Sequence, residues 1–221
     1  MLNRSSSKRF SKGLGNLFTI ISLVLLVAFY FSAKIYSQMH DEIQLSAPET
    51  IIFSRGSSIR TLANQLLEKD LLQEKNYFLI WGKVKQQATR LQAGEYIIEP
   101  GSTLAQLLDN MVAGNVVQHT ITIIEGHTFR QALEVIHNSS YITKELTAST
   151  EEGIMKQLGY EGEHPEGRFY PDTYYISRGM SDVELLNRAY KQMHEVLQEE
   201  WQQREEGLPY KSAYEALIMA S

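Results

Sequence analysis

The sequence begins with a long segment that carries no charge. No Asp, Glu, Lys or Arg occurs over residues 13–33, and the centre of this segment, which begins at Leu17 and ends at Phe31, is almost wholly apolar. A helix rises about 1.5 Å per residue, so this segment spans about 31 Å, the thickness of the hydrocarbon core of a bilayer. A helix of this length in a soluble core would normally carry a polar face. We therefore predict a membrane-spanning helix over residues 17–33.

The charges that flank this helix predict its orientation. Four basic residues and no acidic residue precede it: Arg4, Lys8, Arg9 and Lys12. Because positive charge stays on the cytoplasmic side, we expect residues 1–16 to form a cytoplasmic tail and the rest of the chain to lie outside. A cleaved signal peptide is the alternative, but its apolar region is usually shorter and ends in small residues, whereas Tyr30 and Phe31 are large. We predict an uncleaved anchor.

The rest of the chain is acidic and lacks cysteine. Because 17 of the 21 basic residues and all 26 acidic residues follow residue 16, that part has a formal charge of −9. An acidic exterior argues against nucleic acid as a partner. The absence of Cys excludes disulfides, thiol nucleophiles and thiolate metal sites. The six His residues lack the spacing of a metal site, and no phosphate-binding loop or hydrolase elbow occurs, so we expect no metal and no cofactor.

A short sequence pattern recurs after the anchor. An apolar pair is followed by Gly, by Ser or Thr and by an apolar residue at residues 52–59 and 97–104, and more loosely at residues 123–129. Such pairs end strands, Gly permits a sharp turn, and the hydroxyl caps the next helix. With an amphipathic helix after each turn, the pattern predicts an α+β fold, in which residues 50–120 resemble the LysM glycan-binding module. A generic turn-and-cap repeat explains any single copy equally well.

The spacing of apolar residues predicts how the helices pack. Residues 34–49 are expected to form a stalk that stays helical to about residue 47. A further helix is expected over residues 77–84, and others over residues 129–136 and 151–158. The residues of the 77–84 helix that are expected to face the core are Tyr77, Ile80, Trp81 and Val84.

Residues 161–176 combine a loop with a cluster of aromatic residues. The first seven, E-G-E-H-P-E-G, are too rich in Gly and Pro for regular structure. The next nine, R-F-Y-P-D-T-Y-Y-I, suit a loop that lines a sugar-binding cleft, because aromatic faces stack on sugar rings and carboxylates accept bonds from hydroxyls. The residues predicted to bind substrate or to support the site are Glu166, Arg168, Tyr170, Asp172 and Tyr174.

The role of these residues has two interpretations. In the first, the carboxylates of Glu166 and Asp172 support the site, and Arg168 pairs with one of them. In the second, both acids cap turns, and the aromatic residues around them belong to the core. The second is slightly favoured for Asp172, and the two are equal for Glu166. A role as general acid is the least favoured for either residue.

Capping boxes start the last two helices. Ser181, followed three residues later by Glu, opens a helix that is expected to end around Gly207, where a Gly stop is followed by Pro. Ser212, likewise followed by Glu, opens a second helix. This helix is apolar and has no stop signal before Ser221, so we expect the sequence to be part of a longer protein.

Three stretches of the chain together resemble one family. They are E-G-R-F-Y-P-D-T-Y at residues 166–174, G-L-P-Y-K at 207–211 and L-I-M-A-S at 217–221. In this order they closely resemble the endolytic murein transglycosylases, the YceG-like or MltG family, as do the N-terminal anchor and the LysM-like module. The resemblance covers essentially the whole chain, and its first stretch is the most specific. It implies that residues 121–221 are the first part of a catalytic domain.

This resemblance implies a lytic enzyme of the bacterial cell wall. Family members cut the β-1,4 bond between N-acetylmuramic acid and N-acetylglucosamine in nascent peptidoglycan, form 1,6-anhydromuramyl ends and so terminate glycan elongation. One glutamic acid acts first as acid and then as base. In the family it follows the Met-Ala-Ser element, here residues 219–221, within the next helical turn. We therefore expect the catalytic glutamate beyond Ser221 and expect these residues alone to be inactive.

Two other functions remain open from the sequence. One is an anchored protein that holds peptidoglycan through its LysM-like module and does no chemistry. The other is a scaffold that docks on cell-wall synthesis proteins through its membrane helix. The stretch over residues 166–174 favours the enzyme, since a pure binder does not need it. All three hypotheses put the chain in the cell inner membrane, beside peptidoglycan strands.

Overall fold

The computed structural model of the chain describes the backbone of residues 6–220 and the side chains of residues 18–220. Helices and strands alternate along this part of the chain, so the predicted mixture of the two is confirmed. The chain forms two compact units. The first contains the residues up to 92 together with residues 96–115, and the second contains residues 93–95 and the residues from 116 onward.

Helix α1, Ser6–His40, contains the predicted membrane segment. Within its portion Phe18–His40, an 18-residue window has a mean hydropathy of 2.1, and none of that window is buried inside the protein. By length and composition, this is one helix within the described residues that is able to cross a membrane. The apolar side chains face outward because nothing in the protein covers them, as expected for a helix whose solvent is lipid.

The expected helical stalk is wrong beyond His40, where α1 ends. The chain does not continue as a free helix because it is bound to the first unit here. Met39 is fully buried and Ile43 is 8% exposed. The Gln38 side chain also donates to the carbonyl of Glu74 (3.0 Å) and accepts from the amide of Glu74 (2.9 Å). The residues after the apolar segment are therefore fixed to the body of the protein.

The first unit combines two paired strands with three short helices. Strand β1, Glu49–Phe53, pairs with strand β2, Gly94–Ile98, of which residues 96–98 belong to this unit. Helices α2, Ile59–Glu68, α3, Lys75–Val84, and α4, Leu104–Ala113, complete it. The predicted hydroxyl caps are present, since Ser58 caps α2 and Thr103 forms a capping box at α4. The large buried side chains of its core include Phe53, Leu62, Leu66, Phe78, Tyr96, Ile98, Leu108 and Met111.

Helix α3 forms where predicted, but it faces the core with a different side. Phe78 and Gly82 are buried, whereas Ile80 is 47% exposed and Val84 is 73% exposed. The reason is close packing against α2. A Cβ atom at Gly82 would collide with the Ile59 side chain, so the glycine permits the two helices to approach. The face with Ile80 and Val84 is therefore left outside.

The second unit contains two small pairs of strands and four helices. Strand β3, Gln118–Thr122, pairs antiparallel with β5, Thr173–Ser177, and β4, Ile142–Thr143, pairs in parallel with β6, Met180–Ser181. The helices are α5, Phe129–His137, α6, Glu151–Leu158, α7, Asp182–Gln202, and α8, Ala213–Ala220. The large side chains of its core include Ile121, Phe129, Ile136, Met155, Phe169, Tyr174, Ile176, Leu186 and Tyr190.

The predicted helices of this unit are confirmed, with one difference in length. The Ser181 capping box starts α7, and the Ser212 side chain accepts from the amide of Glu215 (3.1 Å) ahead of α8. However, α7 ends at Gln202 and not around Gly207. The five residues before the Gly stop lack apolar side chains that would pack a last turn against the core, so the helix ends earlier.

Candidate functional site

The site is built around the loop that joins α6 to β5. As predicted, residues 159–172 form neither helix nor strand. The last part of the loop is held by two backbone hydrogen bonds. The amide of Tyr170 donates to the carbonyl of Ala189 in α7 (3.0 Å), and the amide of Ile123, just after β3, donates to the carbonyl of Asp172 (2.9 Å).

Glu166 in this loop caps helix α5. Both of its carboxylate oxygens accept from the amide of Phe129, the first residue of α5, at 3.1 and 3.0 Å. The first amides of a helix lack partners within the helix, and a carboxylate there also complements the helix dipole. The carboxylate is therefore engaged in holding the loop against α5. This agrees with the interpretation in which Glu166 is a capping residue, except that it caps a helix and not a turn.

Arg168 pairs with neither of the two acids that the sequence predicted, Glu166 and Asp172. Its Nε lies 3.3 Å from Oε2 of Glu163, as an ion pair without hydrogen-bond geometry, and not beside Glu166 or Asp172. The side chain is only 19% exposed. Glu163 also accepts a hydrogen bond of 2.7 Å from the hydroxyl of Tyr190. The planar guanidinium can serve this carboxylate and an aromatic ring at the same time.

Helix α8 packs directly on this loop. The guanidinium of Arg168 lies 3.6 Å from the ring centroid of Tyr214, and the Tyr214 hydroxyl donates to the backbone carbonyl of Glu166 (2.8 Å). Gly167, with φ of +72°, faces Leu217: a Cβ atom added there would lie 3.4 Å from a methyl of Leu217. The stretch over residues 166–174 thus lies beside the stretch that begins at Leu217.

Burial raises the pKa of two tyrosines beside the loop. It raises the pKa of Tyr174 to about 12, with the nearby negative charge of Asp172 as the second cause. For Tyr190, burial comes first and the hydrogen bond to Glu163 second, and together they raise the pKa far above its ordinary value. Both phenols are neutral over the physiological range and act as hydrogen-bond donors.

Hydrogen bonds also engage the last three predicted site residues, Asp172, Tyr170 and Tyr174. Asp172 is exposed, and its carboxylate accepts from the amide of Thr173 (2.7 Å) and from the side chain of Gln192 (3.2 Å). Tyr174 is 1% exposed, and its hydroxyl donates to the carbonyl of Tyr170 (2.7 Å). Tyr174 therefore lies in the core, as the second interpretation expects, and Asp172 joins the start of β5 to α7.

Comparison with known proteins gives a family for the whole arrangement. The profile described as the YceG-like family matches residues 51–221, which include the loop and α8. The chain belongs to the YceG-like family. A 2.6 Å crystal structure of a yceG-like protein from Listeria monocytogenes is similar at 18% identity and a TM-score of 0.34, and the match covers 72% of this chain and 58% of that one. A comparison with the curated proteins finds no match.

Three residues that hold this loop were not found from the sequence. Glu163 pairs with Arg168, Tyr190 donates to Glu163, and Tyr214 donates to the carbonyl of Glu166. Tyr214 precedes Leu217 by three residues and so shares its helix face, which is a signal that spacing offers. No such signal exists for Glu163, because the sequence of a loop does not indicate which acidic residue will form an ion pair with an arginine.

Proposed function

We propose that this chain is part of a membrane-anchored, endolytic peptidoglycan lytic transglycosylase. The reaction is cleavage of the β-1,4 bond between N-acetylmuramic acid and N-acetylglucosamine, with a 1,6-anhydromuramyl end as product. The observation that carries the proposal is the packing of α8 on the loop, where the Tyr214 hydroxyl donates to the carbonyl of Glu166 and Leu217 lies beside Gly167. This packing brings together two of the three stretches on which the family resemblance depends, and both lie within the matched residues 51–221.

The chemistry needs one carboxyl group in two protonation states. As an acid it gives its proton to the glycosidic oxygen, and the bond from that oxygen to C1 of the muramyl residue breaks. As a carboxylate it then takes the proton of the C6 hydroxyl, whose oxygen forms the new bond to C1. No water is consumed, unlike in the two-carboxylate glycosidases. The resemblance assigns this role to a glutamate in the turn that follows residue 221.

The described residues would position that turn. Tyr214 fixes the start of α8 on the carbonyl of Glu166, and Arg168 covers the Tyr214 ring. Glu166 in turn is held by the first amide of α5. A reacting group has to stay within a fraction of an ångström of its place, and packed, hydrogen-bonded neighbours provide that precision. Glu166 and Arg168 are thus positioning residues in this proposal.

The anchor would hold this chemistry close to the membrane. The apolar portion Phe18–His40 supports a single crossing. The basic residues before it favour a cytoplasmic N-terminus, with the rest outside the inner membrane. Glycan strands are polymerised at that face, so a tethered enzyme meets them while they grow. The LysM-like module over residues 50–120 would hold the strand, and cell-wall synthesis proteins are the expected neighbours.

The test begins with the gene. Its product is expected to continue past Ser221 with a glutamate within about one helical turn. That product should release anhydromuropeptides from purified sacculi, its Glu→Gln variant should release none, and the 221-residue chain alone should also release none. A stop codon directly after Ser221, or release that survives the Glu→Gln change, would favour a binding or scaffold protein or a different catalytic residue.

A further inference from the structure

The outward face of α3 carries an apolar patch that the fold does not use. Ile80 and Val84 are 47% and 73% exposed, and Trp81 between them is partly exposed. These residues recur with helical spacing, so they form one continuous stripe. Leaving a stripe of this kind in water is unfavourable by about 25 cal/mol per Å² of apolar surface. A cover for the stripe is therefore expected.

The stripe shares a groove with α1. The groove is lined on the α3 side by Ile80, Trp81 and Val84, and on the α1 side by residues that include Phe29 and Tyr36. The Trp81 ring packs edge-on against Tyr36, with 6.3 Å between the ring centroids. Whatever covers Phe29 in this groove must therefore also cover the adjoining residues of α3.

The position of the groove along α1 identifies the cover. With the hydrocarbon core over residues 13–33, Phe29 lies about 6 Å inside its outer boundary and Tyr36 about 4.5 Å outside it, at about 1.5 Å per residue. The headgroup layer extends about 5–7 Å beyond the hydrocarbon on each side. The groove thus crosses from acyl chains to headgroups, and Trp81 lies at the depth where Trp and Tyr are enriched in membrane proteins.

The charges around the groove fit the same position. Lys34 follows the apolar segment of α1, and Lys83 and Lys85 flank Val84 at the end of α3. All three side chains are exposed, and the ammonium of Lys85 lies 5.0 Å from the centre of the Trp81 ring. Lysines extend apolar stems along a buried surface and keep their ammonium groups in the headgroup layer.

We propose that the stripe of Ile80, Trp81 and Val84 inserts into the outer headgroup layer of the bilayer that α1 crosses. The occupant of the groove is lipid, with the lysines toward lipid phosphates. The first unit is then held on the membrane surface at two places, by α1 and by α3, and cannot swing freely about its anchor. This inference rests on membrane crossing by α1 and is independent of the lytic chemistry.

Tryptophan quenching in vesicles tests the proposal on the whole chain. The sequence has two tryptophans, so Trp201→Phe leaves Trp81 as the only reporter, and Trp81→Phe leaves Trp201. The probe is vesicles of phosphatidylcholine and phosphatidylglycerol, brominated either near the top of the acyl chain or near its end. Trp81 is expected to lose roughly half of its emission or more to the shallow bromine and less to the deep one, as befits an interfacial ring. The chain with Trp201 alone, measured in the same vesicles, is the reference for a tryptophan outside the stripe.

Matched double variants separate the stripe from its neighbours. In the Trp81 reporter chain, Ile80→Asn with Val84→Asn should reduce the quenching. As the control, Ile52→Asn with Ile97→Asn changes two residues of the same unit that are 44% and 45% exposed, and it should leave the quenching unchanged.

Three results would overturn the proposal. The first is a Trp81 signal that is quenched no more than that of Trp201. The second is quenching that ignores the Ile80 and Val84 changes, which would assign the contact to α1 alone. The third is quenching that fades as the protein-to-lipid ratio rises, which would mean that a second copy of the chain covers the groove.

Discussion

A buried carboxylate in the second unit offers a sharp test of the structure. Asp182, the first residue of α7, is fully buried. Its carboxylate accepts from the amides of Glu145 (2.9 Å) and Leu146 (3.2 Å) and from its own neighbour Val183 (2.9 Å). It also lies 2.8 Å from Nε2 of His137. One side chain thus joins the end of α5, the segment after β4 and the start of α7.

The cost of losing this carboxylate can be worked out from the bonds. Asp182→Ala leaves the amides of Glu145 and Leu146 without an acceptor in a place where the carboxylate excluded water. Each unsatisfied buried amide costs about 1–3 kcal/mol, so the pair costs about 2–6 kcal/mol. Since each 1.4 kcal/mol is a factor of ten, amide exchange in this region should accelerate by about 30- to 20,000-fold. Asp182→Asn keeps one acceptor oxygen, so its exchange rate should lie between those of the unaltered chain and of Asp182→Ala.

Hydrogen exchange followed by mass spectrometry is the assay, on peptides from residues 142–146 and from the start of α7. Glu151→Ala is the matched control, because Glu151 also begins a helix but forms an ion pair with the exposed Arg130 (3.5 Å) at the surface. Surface pairs of this kind contribute about 0–1 kcal/mol, so exchange should change less than about fivefold. Equal exchange rates in Asp182→Ala and in the unaltered chain would refute the reasoning.

Two further predictions concern the second unit. Tyr214→Phe removes the 2.8 Å hydrogen bond to the carbonyl of Glu166 and should lower the free energy of unfolding by about 1 kcal/mol. Amide exchange in α8 should therefore be faster. Unchanged exchange in α8 would contradict the packing of this helix on the loop. The hydrogen bond from Arg178 lowers the pKa of Glu95 below its ordinary 4.5, so this carboxylate stabilises the fold above that pH and stops doing so as the pH falls through the lowered value. In urea titrations, Glu95→Gln should therefore be less stable at neutral pH, and the difference should close in acid; a difference that is independent of pH would contradict this.

The sequence predicted the elements whose causes are local. Ser58, Thr103 and Ser181 each accept a hydrogen bond from a backbone amide three residues ahead, as their spacing indicated. Pairings across long stretches of chain were out of reach. Thr122 and Thr173, 51 residues apart, share a hydrogen bond between β3 and β5, and no local pattern encodes that choice.

The orientation of α3 was beyond the sequence for a different reason. The helix has apolar or small residues on both faces, with Phe78 and Gly82 on one and Ile80 and Val84 on the other. Helical spacing identifies such faces but does not rank them. The glycine decided the matter, because it lets the backbone of α3 approach Ile59 of α2. The prediction of a helical stalk was wrong for a similar reason, because Gln38 is bound to Glu74, which lies 36 positions further along the chain.

The loop over residues 159–172 was predicted, but the partner of its arginine was not. The loop and its acids are where the sequence put them, and the core interpretation holds for Tyr174, which is 1% exposed. Arg168 pairs with Glu163 because the chain folds the loop back against α7, where Tyr190 binds the same carboxylate. That arrangement depends on tertiary packing. Contact of the predicted residues with a glycan strand stays a prediction.

The most direct test of the proposed reaction is to measure whether oxygen from water enters its product. The complete gene product would digest peptidoglycan strands in heavy-oxygen water, and the new muramyl ends would be analysed by mass spectrometry. A lytic transglycosylase forms its product from the substrate's own C6 hydroxyl, so the account predicts anhydro ends without heavy oxygen. Reducing ends that carry heavy oxygen would show hydrolysis, as by a two-carboxylate glycosidase, and would contradict the account.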